Sequence, residues 1–490
     1  MRQVGLTQAL SDQATWPLYS VDQTQAIELE AQKTLPAFTL MQRAGLATAQ
    51  LALAVAPHAH KIWIACGPGN NGGDGIAAAT QLKAWGKHAV VTWLGEKGQV
   101  PGDAQQAWQN AQAAGVEFAA QPPGQFDLAV DALLGIGADR APGDTIAAWL
   151  QIMQNSEIPL LCVDTPTGLL ADTGQWLGPR QDKYAKRHTL SLLTLKPGLF
   201  TADGRDAAGQ VWFNDLGVHA THAPKAWLQC AKADRPDLPY SSHKGTFGDV
   251  CILGGAPGMT GAAVLSALAA LHGHAGRVFV GLLDPDAQHA VMAAHPPLMI
   301  RDAEALPLDT STVVCGCGGG DLVHSHLPKV LSSAQKLVLD ADALNAIARD
   351  TSLQTLLMKR QHRQQVTVIT PHPLEAARLL GISSQQVQSD RLGAAQQLAN
   401  QFQVIVVLKG AGSIVASPSH TPTINYSGNA RLATAGTGDV LSGLIGAYLA
   451  HSDSAFDATC RAVFKHGHVA DTWPCDSPPL DAATLAAWVR

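Results

Sequence analysis

Short apolar runs alternate with Ala- and Gln-rich stretches of helical length through both halves of this chain, and that alternation constrains the fold more than any other feature. Apolar runs of strand length suit strands covered on both faces, and βαβ connections supply the helices that cover them. In the first half the strand candidates are 61–66, 89–94, 127–131, 160–164 and 190–195, with helical stretches such as 76–85 and 104–114 between them. Two further helical segments, 23–33 and 40–55, precede the first strand. A Pro/His/Ala-rich stretch without periodicity, 219–240, reads as a linker. Alternation then resumes with strands at 249–253, 277–281, 313–316, 337–340, 366–369 and 404–408, and 412–416 follows Lys409-Gly410 closely enough to close a hairpin. At 490 residues the chain is longer than one core usually supports. The expectation is two α/β domains, 1–221 and 226–490, each with its own mostly parallel sheet.

Composition removes several classes of function. The net charge of −6 gives no basic footprint for nucleic acid. Residues 1–20 lack the basic start and apolar core of a signal peptide, and no apolar run reaches the ~18 residues of a membrane span. Eight cysteines without a CxxC, several inside apolar runs, read as reduced core thiols of a cytoplasmic protein. Cys315-Gly316-Cys317 is read the same way, as buried structural thiols rather than a redox or metal pair.

Two glycine-rich loops carry the chemistry, and both end in an aspartate where a phosphate loop would carry lysine. The first is Gly67-Pro68-Gly69-Asn70-Asn71-Gly72-Gly73-Asp74-Gly75, directly after a strand. Its glycine spacing matches a dinucleotide fingerprint, but the expected acidic residue about 20 positions on is only Glu96, which follows Gly95 in a loop. Asp74 within the loop argues further against a plain pyrophosphate cradle. Two other strands end in carboxylates, Asp131 and Asp164, the latter before Thr165-Pro166-Thr167-Gly168. In an open α/β sheet such strand ends form the ligand crevice. Asn71, Asp131 and Thr167 would there offer hard oxygen ligands, suited to an alkali or alkaline-earth cation.

The second loop is Gly436-Thr437-Gly438-Asp439, opening an apolar helix. Backbone donors at a helix start suit a phosphate, and Asp439 is placed to take a proton from an attacking hydroxyl. Lys409-Gly410-Ala411-Gly412-Ser413 follows a strand and offers donors to phosphate or ribose. Asp340 and Asp342 end another strand as candidate magnesium or substrate neighbours, and His372, before Pro373, is either a ligand contact or a helix cap. No GxxxxGK[ST] occurs, which excludes a P-loop NTPase, and His466-Gly467-His468 lacks metal spacing.

Taken together, these motifs resemble the bifunctional NAD(P)H-hydrate repair enzymes, in which an epimerase is fused to an ADP-dependent dehydratase. The resemblance runs through Asn70-Asn71-Gly72-Gly73-Asp74-Gly75, Val163 to Gly168, His243-Lys244-Gly245, Asp340-Ala341-Asp342, Thr370-Pro371-His372-Pro373, Lys409-Gly410 and Gly436 to Asp439. It implies a Rossmann-like three-layer epimerase domain followed by a ribokinase-like α/β dehydratase domain. By similarity, Asn70, Asn71, Gly72, Gly73, Asp74, Gly135, Ile136, Gly137, Ala138, Asp139, Arg140, Ala141 and Asp164 would bind the hydrated nicotinamide nucleotide in the first half. Asn71, Asp131 and Thr167 would hold potassium. In the second half Ala262, Gly318, Gly320, His372 and Asp439 would contact the hydrate, while Lys409, Gly410, Ala411, Gly412, Ser413 and Gly438 would contact ADP, which arrives with magnesium. Asp164 and Asp439 would be the catalytic groups. The resemblance also implies a homo-oligomer. One departure is visible: the family's Gly-Pro-Gly is here Gly316-Cys317-Gly318, and a lost proline loosens that loop.

The chemistry is coherent on its own terms. Hydroxide leaves poorly, whereas phosphorylating the ring hydroxyl creates a leaving group that the ring nitrogen can expel. A chiral pocket accepts one epimer, so an attached epimerase makes the other usable. Two alternatives compete: a ribokinase-like small-molecule kinase with an N-terminal binding domain, and a non-enzymatic binding module in the first half.

Overall fold

The computed structural model describes residues 1–5, 15–96, 101–177, 186–230, 241 and 243–489. They divide into two compact units, Trp16–Ala226 with Met1–Gly5, and Trp227–Arg490. In the first unit the sheet runs Arg2–Gln3, Gln210–Asn214, Arg187–Leu192, Leu160–Val163, Leu128–Ala132, Lys61–Cys66, His88–Trp93, Glu117–Ala119. Every pair is parallel except the first. Residues of Lys61–Cys66 alternate between two cores: Ile62, Ile64 and Cys66 pack with helices Val21–Gln32, Thr39–Val55, Asn70–Ala84 and Gly102–Ala113, whereas Trp63 and Ala65 pack with Asp144–Asn155. A strand buried on both faces has no polar side, which is why its sequence is one apolar run.

Chain order reverses between Lys61–Cys66 and Leu128–Ala132: later strands add outward on both sides of that pair. Ligands bind at such a switch point, outside the carboxyl ends of the strands. The loops leaving these two strands, 67–69 and 133–143, therefore frame the site of this unit.

The second unit repeats the principle with another order: Met299–Arg301, Arg277–Leu282, Asp249–Gly254, Thr312–Cys315, Lys336–Leu339, Val366–Ile369, Ile405–Leu408, Ile414–Ser417, His420–Asn425, Ala226–Gln229. The pairs from Met299–Arg301 to Ile405–Leu408 are parallel, and Ile405–Leu408, Ile414–Ser417 and His420–Asn425 form the antiparallel meander that contains the expected hairpin. The switch point lies between Asp249–Gly254 and Thr312–Cys315, where Gly255 N donates to Cys317 O at 3.0 Å and Ala256 N to Gly318 O at 2.7 Å. Helices Thr260–His272, Thr437–Ala450 and Ala455–Asp471 bury one face, with Val250, Ile252, Val314 and Val338 inside.

The reading of 219–240 as a linker needs correction. Ala226–Gln229 is a strand, paired in parallel with His420–Asn425 through Trp227↔Thr423 and Leu228↔Ile424. Four residues carry too little periodicity to announce a strand; residues 231–240 lie outside the described residues. The strands Arg2–Gln3, Thr15–Leu18 and Gln210–Asn214 were likewise not anticipated. No helix among the described residues is long and apolar enough to cross a membrane.

Candidate functional sites

In the first unit a cavity of about 1110 Å³ opens at the switch point. That lies just above the range of about 300–1,000 Å³ for small-molecule sites. Its walls include Asn70, Asn71 and Asp74 from the start of helix Asn70–Ala84, residues 133–143, and Asp164. Gly135 to Ala141, singled out in the sequence, all line it. Gly72 and Gly73 do not; they serve packing. A Cβ on Gly72 would sit 2.0 Å from Gly67 O, and one on Gly73 would meet the Met41 side chain at 2.5 Å.

Asp164 follows strand Leu160–Val163 with φ +65°, a left-handed conformation uncommon outside glycine. It is held there by its own N–H donating to Leu190 O, by Leu192 N donating to Oδ1, and by the fully buried Lys196 ammonium, which donates to the same Oδ1. Lys196 also donates to Leu192 O at 2.7 Å. Glu28 and Asp103 join Asp74 and Asp164 on the cavity wall. Burial first, then the neighbouring carboxylates, raises Asp74 well above the usual carboxylate range and raises Glu28. Sequence reasoning missed Lys196, Glu28 and Asp103. For Lys196 a signal existed: a lysine set between the apolar run 190–195 and Pro197.

Asp131 and Thr167 come together as expected from two strand ends. Thr167 Oγ1 donates to Asp131 Oδ1 at 2.7 Å and Thr167 N to Oδ2 at 2.9 Å. Burial raises Asp131 against these donors. Asn71 stands beside Gly135, and both polar atoms of its amide are buried without a hydrogen-bond partner. An orphaned buried amide is rare and invites a ligand, so the donor set fits a cation of low charge.

The second unit gathers its polar groups at the ends of four strands and one helix. Asp340, buried, caps helix Ala341–Arg349. Its Oδ1 accepts from Lys409 Nζ at 2.8 Å and its Oδ2 from Ser442 Oγ at 2.5 Å. Gly436, at φ +88°, turns the chain into helix Thr437–Ala450, whose first turn holds Gly438 and Asp439. A Cβ on Gly438 would lie 3.3 Å from Lys409 Nζ, so this turn sits against the ammonium. Burial and then the Asp340 charge push Asp439 up to about 6, while the Cys317 thiol and Lys409 act the other way.

Gly318 and Gly320, at φ +59° and +53°, form the switch-point loop, and Ala262 faces Gly318. Asp342 Oδ2 accepts from Gly320 N at 2.8 Å and steadies that loop. His372 caps a helix, which leaves its role toward a ligand open: Nδ1 accepts from Leu374 N and Glu375 N, and Nε2 lies 3.2 Å from the buried Glu375 carboxylate. Burial pushes Glu375 up to about 7, against the pull of Lys409. Gly410 and Gly412, both at positive φ, shape 409–413, where Ser413 Oγ donates to Gly410 O. Ser442 and Glu375 were missed: Ser442 sits mid-helix without a distinguishing pattern, whereas Glu375, in the first helical turn three residues after His372, completes a capping box that the sequence spacing could have shown. All cysteines of the described residues but Cys475 are buried.

Comparison with known proteins adds to this geometry. Residues 250–487 match the family model described as NAD(P)H-hydrate dehydratase, and residues 37–198 match that of the YjeF-related protein N-terminus. The chain is 38% identical over 462 residues to the bifunctional NAD(P)H-hydrate repair enzyme Nnr of Escherichia coli K12, covering 89% of this chain and 85% of that one. It is 42% identical over 236 residues to the ADP-dependent (S)-NAD(P)H-hydrate dehydratase of Neisseria meningitidis serogroup B, covering 47% and 78% respectively. Among solved structures, the ADP/ATP-dependent NAD(P)H-hydrate dehydratase of Bacillus subtilis, co-crystallized with ATP/Mg2+, is 28% identical with a TM-score of 0.46, covering 52% of this chain and 92% of that one.

Proposed function

The chain belongs to the bifunctional NAD(P)H-hydrate repair enzymes, and from that premise we propose how its two units divide the work. The first, proposed as residues 1–221, epimerises R- and S-NAD(P)H hydrate. The second, 226–490, dehydrates the S-epimer with ADP, releasing AMP and phosphate. The observation that carries this division is the pair of switch points, each presenting a carboxylate beside a glycine loop.

In the first unit the cavity takes the hydrate, with Asn70, Asn71, Asp74 and Gly135 to Ala141 around it. Asp164, held by Lys196, moves the proton at the epimerising centre. Potassium suits the Asn71 amide, Asp131 and Thr167, where one carboxylate is too little charge for most divalent sites; when bound it offsets substrate phosphate charge near Asp164.

In the second unit Asp439 accepts the proton of the ring hydroxyl as that oxygen attacks the β-phosphate of ADP. Gly436 to Gly438 and Lys409 steady the phosphoryl group with N–H donors and an ammonium. Residues 409–413 and Gly438 hold the nucleotide; Ala262, Gly318, Gly320 and His372 face the hydrate. Asp340 and Asp342 already accept from Lys409, Ser442 and Gly320, so magnesium is expected to arrive on ADP, held mainly by phosphate and water.

The test is to incubate the protein with an R/S mixture of NADH hydrate, ADP and magnesium while following NADH absorbance and AMP. Both epimers should be consumed, with one AMP and one phosphate per NADH. Accumulation of a phosphorylated product would indicate a small-molecule kinase instead.

A further inference from the structure

The second unit buries a positive charge that the dehydration steps do not use. Arg391 is 1% exposed and is the first residue of helix Arg391–Phe402. Two costs attend that position: a charge is taken out of water, and a cation lies at the positive end of the helix dipole. Burial pushes its pKa down to about 10, so the side chain keeps its charge at neutral pH. The guanidinium donates to Gln388 Oε1 at 2.8 Å, to Leu408 O at 3.3 Å and to Lys409 O at 3.2 Å. Both carbonyls belong to the chain as it leaves strand Ile405–Leu408. Gly410 then rests against the guanidinium. Its φ of +135° is one that glycine adopts without strain, and a Cβ there would lie 2.9 Å from Arg391 Nη1.

Lys409 is thereby held at three points. Its N–H donates to Pro371 O at 2.9 Å, its C=O accepts from Arg391, and its ammonium donates to Asp340 Oδ1 at 2.8 Å. We propose that Arg391 is a positioning residue for the nucleotide, the floor on which Lys409 to Ser413 is set to receive the diphosphate of ADP. The proposal rests on the reading of 409–413 as the nucleotide loop. Buried beneath that loop, Arg391 acts through the backbone of Lys409 and the turn at Gly410. Its planar fork spans two successive carbonyls, which the ammonium of a lysine reproduces only in part. Ala262, Gly318, Gly320 and His372, proposed to face the hydrate, lie on other segments of the chain. Arg391 therefore governs ADP and leaves the affinity for the hydrate alone.

ADP binding to the full-length protein is measured by calorimetry with magnesium present, for the parent, Arg391→Met, Arg391→Lys and Gly410→Ala. KM for the S-hydrate is taken at saturating ADP, and a denaturant melt checks that each variant is folded. Hydrogen bonds from a charged donor are the strong kind, so their loss in Arg391→Met should raise Kd for ADP by about 10–100-fold. Arg391→Lys should fall between that variant and the parent, with KM for the S-hydrate unchanged in both. A Kd unchanged in both Arg391 variants but raised in Gly410→Ala overturns the role of Arg391 and keeps the nucleotide loop. A Kd unchanged in all three overturns the loop as well. If Kd for ADP and KM for the hydrate rise together in the Arg391 variants, Arg391 only supports the fold and the proposal fails. Where Arg391→Met does not fold, Arg391→Lys decides alone, and an unchanged Kd in it overturns the proposal.

Discussion

As the proposed base, Asp439 would work only when deprotonated, and its surroundings decide when that is. Burial and the Asp340 charge hold it at about 6, above the ordinary aspartate value of 3.8. The base is therefore in its working form above pH ~6, and kcat/KM for dehydration should fall as pH drops through that value. A profile flat from pH 8 to 5 would contradict this. Asp439→Asn should cost on the order of 10²–10⁴ in rate with an unchanged fold; activity within threefold of the parent would remove it from the role. The equivalent residue-scale dependence in the first unit is Asp164 on Lys196. Lys196→Met leaves a strained, partly buried carboxylate without its ammonium, and R-hydrate consumption should fall while S-hydrate dehydration is unaffected. The sequence flagged both aspartates from their strand and helix ends. It held one hint of Lys196, a lysine between an apolar run and Pro197, but only the folded chain pairs that residue with Asp164, 32 positions away.

At the scale of elements, close approach of backbones sets the geometry of both sites. Helix Thr437–Ala450 meets helix Thr260–His272 so tightly that a Cβ on Gly443 would lie 1.9 Å from Ser266 O. Gly443→Ala must separate the helices that carry Asp439 and Ser266. It should destabilise by roughly 1–3 kcal/mol, the usual scale of overpacking, and lower dehydration disproportionately; a denaturant melt and a rate measured on the folded fraction separate the two effects. In the first unit, Asp131 ties the end of strand Leu128–Ala132 to Thr167 through two hydrogen bonds. Asp131→Ala should lower epimerisation and its response to potassium, leaving dehydration of the S-epimer unchanged. Magnesium, or no ion, found at these three residues together with potassium-independent epimerisation would rule the assignment out.

For the whole molecule, the boundary matters more than the sequence suggested. Ala226–Gln229 is a strand of the second unit's sheet, so a cut anywhere within 219–240 is not equivalent. A fragment beginning at Pro224 keeps that strand and should fold, convert the S-hydrate and consume the R-hydrate only as fast as it epimerises spontaneously. One beginning at Ser241 exposes the edge of His420–Asn425 and should be less soluble and less stable. If the longer fragment consumed both epimers at equal rates, the division of labour would be wrong.

The alternation of apolar runs with helical stretches was enough to specify parallel α/β architecture in both halves, because a strand buried on two faces must be apolar throughout. Motif order was enough to identify the family. Both are local properties: they concern what one segment buries and which loop follows it. The antiparallel meander's partner strand Ala226–Gln229, the buried Lys196, the Ser442 hydroxyl on Asp340 and the approach of Cys317 to Asp439 are pairings across long stretches of sequence. Their partners are chosen by which strands lie adjacent and how closely helices pack. No short window of sequence contains that information, so only the tertiary structure decided them.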